Sequence, residues 1–180
     1  MASTSTVKTE EPNHDLSSGL LDRVCGFTLD ALPAPVVDQA KLVLADTLGE
    51  ALASSKLSHA PTRILGAFMA QSAGAGKSSL IGQGRGTTVM DTALFNAALA
   101  AFGLNDPLHG ATTMHASAVA AAAALAAAEH AEASGRRFLE AFILGTEVAC
   151  RVSAALDPAA VYGRKFHPTG VCGTFGGVKL

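Results

Sequence analysis

Two histidines and an acid stand close together in the stretch Asn105-Asp106-Pro107-Leu108-His109-Gly110-Ala111-Thr112-Thr113-Met114-His115-Ala116-Ser117. An imidazole takes up and releases protons near neutral pH, and a carboxylate can orient one, so these residue types suit general acid–base work. The stretch is rich in turn formers, and the apolar run from Ala116 to Ala128 behind it is fit to anchor a functional loop. The residues alone leave two readings open: proton transfer, or helix capping and satisfaction of backbone carbonyls. Asp106 before Pro107 is equally an ordinary turn residue. A metal reading fails, because His109 and His115 do not share one helix face and no third ligand stands at zinc-like spacing.

A second polar group is Arg164-Lys165-Phe166-His167-Pro168-Thr169-Gly170. Its charges suit an anionic ligand, or make a solvated basic turn before a proline. Elsewhere the chain offers little chemistry. Gly76-Lys77-Ser78 has the end of a phosphate-binding loop, but the first glycine of that pattern falls at Gln71 and a helix, not a strand, is predicted before it. Glu147 and Arg151 have the spacing of a helix-face ion pair. Cys25, Cys150 and Cys172 form no CxxC and have no histidine at a motif spacing. They are read as small core residues of a protein in a reducing, intracellular setting.

The elements that must position these groups are helical. Of 180 residues 49% are apolar, yet there are only eight phenylalanines, one tyrosine and no tryptophan, so alanine supplies much of the bulk. Alanine-rich apolar sequence packs as close helices, and this length suits one folding unit. A net charge of -2 provides no basic field for nucleic acid or an anionic membrane surface. The run Ala116–Ala128 is shorter than the roughly 18 residues of a membrane span, so it reads as a buried helix. Polar Met1–Ser18 lacks the apolar core of a signal peptide and is expected to be a disordered tail. The cytoplasm and the mitochondrion both remain open.

In chain order, Ser17 is expected to cap a short helix carrying Leu20, Leu21, Val24 and Phe27, and Pro33 and Pro35 open the next. Its apolar period runs from Val36 to Leu52, with Asp38, Lys41 and Glu50 outward. A linker over Ser54–Ala60 leads to a helix from Pro61 to Ser72, with Gly74 as its cap. A short strand over Ser79–Gly82 and a glycine-rich turn to Gly86 follow. Asp91 or Thr92 caps a helix over Ala93–Phe102, Ser117 caps the alanine-rich helix to Ala133, and Ser134-Gly135 separates it from a helix over Arg136–Leu156. From Asp157-Pro158 onward the glycine and proline spacing predicts loops.

Two separated stretches resemble the MmgE/PrpD superfamily of 2-methylcitrate dehydratases and cis-aconitate decarboxylases. The first is Leu80-Ile81-Gly82-Gln83-Gly84, then Ala93-Leu94-Phe95-Asn96-Ala97-Ala98-Leu99, Asp106 and His115. The second is Ser134-Gly135, Gly145-Thr146-Glu147-Val148, Arg151 and Phe166-His167-Pro168-Thr169-Gly170, with Gly173 and Gly176. The resemblance runs from about Leu20 to Val178 and corresponds to the leading part of the family.

It implies an all-α fold, a helical bundle of about six helices over residues 19–180. This is the amino-terminal part of the family's helical domain, truncated and without its α/β lid. It further implies a homodimer that works without a metal or other cofactor, and a lyase activity on a small tricarboxylate, either 2-methylcitrate dehydration or cis-aconitate decarboxylation. By the same resemblance His115 and Asp106 correspond to proton-transfer residues, and His109 holds a further place in that loop. His167, with Lys165 and Thr169 beside it, corresponds to the carboxylate-binding group. The lysines and tyrosine that relatives supply later in the chain have no counterpart here. A non-catalytic helical module acting by association is therefore the alternative.

Overall fold

The computed structural model describes residues 14–56, 63–67, 70, 76–103 and 105–177. Among them the longer helices are α1 (His14–Gly26), α2 (Ala34–Lys56), α3 (Val89–Phe102), α4 (Ala116–His130) and α5 (Gly135–Ala155). Two short helices follow, α6 (Pro158–Gly163) and α7 (Pro168–Cys172), and a helical stretch lies at 63–67. The fold is all-α. The sheet among the described residues is a hairpin of β1 (Ser78–Ser79) and β2 (Gly86–Thr87), antiparallel with Ser78 opposite Thr87.

α4 holds the centre because alanine lets neighbours approach its axis closely. It packs against α2, α3, α5, β1 and the 3-10 turn Gly173–Gly176. One buried cluster joins Ala118 to Ala51, Leu80, Phe95 and Leu99, and another joins Ala120, Ala121 and Ala124 to Ala141 and Phe142. The polar residues in this core are bonded: Asn96 accepts from Ile81 N and donates to Ser79 O, and Thr92 Oγ1 donates to Ser78 O. These bonds carry the hairpin on α3, since an unpaired buried polar group would cost about 1–3 kcal/mol.

Several boundaries differ from expectation. α1 starts at His14, ahead of Ser17, and leaves Leu20 and Leu21 exposed. α2 runs longer than its apolar period at both ends, and Val36, expected inside, is exposed. The cap of α3 is Thr88, whose side chain accepts from Asp91 N, rather than Asp91 or Thr92. Ser117 does not cap α4: His115 holds that place, and the Ser117 hydroxyl is buried without a hydrogen-bond partner. The segment after Asp157, expected as loop, folds into α6 and α7 with a proline in the first turn of each. The expected strand over Ser79–Gly82 shortens to β1, and the chain turns at Gly82 and Gly84, both at positive φ. The predicted tail up to residue 13, the ends of the Pro61–Ser72 helix and its Gly74 cap lie outside the described residues.

Two tight joints hold α5. At Gly145 a β-carbon would stand 2.2 Å from the Gly176 carbonyl oxygen. Gly145→Ala is therefore expected to push the 3-10 turn off α5 and to lower stability by about 1–3 kcal/mol, read by urea denaturation.

Glu140, at the other end, is buried. Its carboxylate accepts from Leu29 N and Arg137 Nη1, both at 3.1 Å, with Arg136 Nε 3.6 Å away. The Leu29 amide first, then Arg137 and Arg136, outweigh burial and hold its pKa below the ordinary value of 4.5. A carboxylate so lowered stabilises the fold above pH 4.5, and the stabilisation is lost as pH falls through the folded value. Glu140→Gln should thus be less stable than the parent at pH 7. The gap should close on acidification below 4.5, as checked by unfolding midpoints across pH.

Candidate functional site

The loop between α3 and α4 is fastened at several points. His109 and Met114 form an isolated antiparallel bridge, with His109 N donating to Met114 O at 2.9 Å. Thr112 N donates to His109 O, and from α5 Ser153 Oγ donates to Thr112 O at 3.1 Å. Thr113 sits at φ 48°, a left-handed backbone that a β-branched residue rarely adopts. Its hydroxyl donates to Thr112 O. Below the loop Met114 and Ala116 pack with Ala149, Cys150 and Cys172. Burial pushes the Cys150 thiol above its ordinary 9.0, so it stays protonated. Cys150 and Cys172 are core residues as expected, whereas Cys25 is exposed.

At the end of this loop His115 becomes the cap of α4. Its Nδ1 lies 3.1 Å from Asp106 Oδ2, with the carboxylate side chain 1% and the histidine 26% exposed. Neither atom has an aligned hydrogen bond among the described residues, and they face each other at ion-pair distance. A carboxylate oxygen at that distance repels a bare ring nitrogen and attracts an N–H, which favours the proton of a neutral His115 ring on Nδ1 and leaves Nε2 to take up another.

The second group arrives on α7. Val161 is buried under the turn that follows α6, Lys165 adopts a left-handed backbone (φ 65°), and extended His167 then caps α7. This puts the His167 ring 6.1 Å from that of His115, centroid to centroid. Thr169 joins them. Its Oγ1 accepts from His115 N at 3.0 Å, and its own N donates to His167 Nδ1 at 3.2 Å.

Asp106, His115, His167 and Thr169 are thus brought together. Among the described residues no hydrogen bond or ion pair joins His109 or Lys165 to these four: His109 Nδ1 is 2.7 Å from Thr112 Oγ1, and the exposed Lys165 ammonium forms no ion pair. Tyr162, which the sequence reading passed over, stands edge-on to the His167 ring at 5.5 Å. No spacing rule could have found it, because α6 is too short to show a period.

Among the described residues no three His, Cys, Asp or Glu side chains gather as a metal-binding group, and no helix is long and apolar enough to cross a membrane. Lys77, the lysine of the phosphate-loop-like segment, pairs with Glu132. None of the curated proteins matches the chain. The profile of the MmgE/PrpD N-terminal domain matches residues 19–178, a span that includes both histidine groups, and the chain belongs to that family.

Proposed function

We propose that the chain carries the proton-transfer part of an MmgE/PrpD-type lyase site for a small tricarboxylate. The observation that supports this best is the Asp106–His115 contact of 3.1 Å beneath a second imidazole 6.1 Å away. In 2-methylcitrate dehydration, His115 Nε2 would take the proton from a carbon beside a carboxylate. The C–H electron pair becomes the new double bond, and the hydroxyl on the neighbouring carbon leaves with that proton as water. In cis-aconitate decarboxylation, the C–C bond to one carboxylate breaks and carbon dioxide leaves. The electron pair stays on carbon, and protonated His115 delivers a proton there. Either route needs donors for the remaining carboxylates, a role for His167 and Lys165, with His109 offering its Nε2 at the rim. The setting would be cytoplasmic or mitochondrial.

Leu108, Tyr162, Phe166, Val171 and Phe175 are exposed. Exposed large apolar side chains favour association where they adjoin, which supports a homodimer. It also supports the rival reading of a non-catalytic helical module acting by association. Product analysis after incubating the purified chain with cis-aconitate and with 2-methylcitrate separates the two. Conversion of either acid supports the lyase. Folded protein that converts neither would leave the module, and sedimentation would show whether it dimerises.

A further inference from the structure

Thr169 touches both histidines, and with different atoms. We infer that it is a positioning residue that ties His115 and His167 into one unit, whose two rings present opposite tautomers to the space between them. The inference rests on the lyase reading for its catalytic meaning but not for its geometry.

An amide N–H can only donate, so the Thr169 N–H bond makes His167 Nδ1 an acceptor and puts the proton of the neutral ring on Nε2. Asp106 favours the reverse on His115, whose Nδ1 faces the carboxylate at 3.1 Å, an ion-pair distance without an aligned hydrogen bond. His115 therefore offers an unprotonated Nε2 and His167 an Nε2–H. A carbon bearing a carboxylate that reaches both Nε2 atoms would meet a proton acceptor at one and a hydrogen-bond donor for its carboxylate at the other. As charge spreads onto that carboxylate in the proton transfer, the His167 donor meets it without reorganising.

The hydroxyl of Thr169 sets the distance between the rings. It accepts from the His115 amide, the point where the loop becomes α4, and so fixes the backbone that carries the base. Buried Pro168 and edge-on Tyr162 hold the His167 side of the unit. Thr169→Val keeps the shape and the backbone N–H but removes the acceptor for His115 N, while Thr169→Ser keeps it.

Long-range proton–nitrogen NMR spectra of the whole labelled chain, taken where both rings are neutral, read the tautomers directly. Expected are Nδ1–H on His115 and Nε2–H on His167. Thr169→Val should shift the His115 ring signals, leave the His167 tautomer in place and lower kcat by about 100-fold with KM unchanged. Thr169→Ser should restore both. The same tautomer on both rings would overturn the inference, as would a Thr169→Val chain with parental kcat and parental His115 signals. Should Thr169→Val not fold, the parent's tautomers and the serine chain still decide. Opposite tautomers in a chain without turnover would sustain this inference while removing the lyase reading.

Discussion

His115→Ala is expected to lower turnover of the accepted tricarboxylate by about 10²–10⁴-fold, the range that positioned proton transfer contributes. The loss should fall on kcat, because Nε2 is needed when the carbon-bound proton moves rather than when the acid binds. The same substitution has a second, separable effect. Asp106 is buried, and its Oδ2 faces His115 Nδ1 at 3.1 Å. Removing the ring leaves that carboxylate uncompensated, at a cost of about 1–3 kcal/mol. Parallel measurement of kcat and of the urea midpoint would show both losses. An alanine chain with parental kcat would eliminate His115 as the proton carrier.

Asp106→Asn is expected to separate those two effects. An amide can turn its NH₂ toward His115 Nδ1, which then must accept and shifts the ring proton to Nε2. The base is lost although every heavy atom keeps its place, and kcat should fall by about 10²–10⁴-fold. Stability should hold or rise, because a buried charge has been replaced by a neutral group of similar size. Combining Asp106→Asn with His115→Ala should lower kcat little beyond either alone, since the pair acts as one device. If Asp106→Asn unfolds the chain instead, the carboxylate is a structural group of the loop.

The long helices were legible because their apolar residues repeat over several turns. The alanine run marked the central helix, and the period of Val37, Ala40, Val43, Leu44 and Thr47 marked α2. Caps were harder. Thr88-Val89-Met90-Asp91 carries the spacing of a capping pair, but two other cap formers stood next to it, and only the backbone distinguishes them. α6 and α7 are too short for a period to show. Their signal lay in Asp157-Pro158 and His167-Pro168, a cap followed by proline, which reads equally well as a turn.

At the site, His109, His115 and Asp106 stood out by type within one loop. That His167 belongs with them, with Thr169 beside it, came from family resemblance, and that Thr169 bonds the His115 amide could not be read at all. The bond from His115 N to Thr169 spans 54 positions of sequence, and no local pattern encodes a contact at that range.

That same bond makes the site an expected late product of folding. In sequence α5 stands between the loop before α4 and α7, so the His115 amide is expected to find its acceptor after more local contacts have formed. Closing so long a loop is paid in chain entropy, so contacts of this range tend to form after local ones. The exchange rate of one backbone proton, that of His115, thus reports how often the two halves of the site come apart. A chain can be fully helical by circular dichroism while that proton exchanges freely, and such a chain would have its secondary structure but no assembled site.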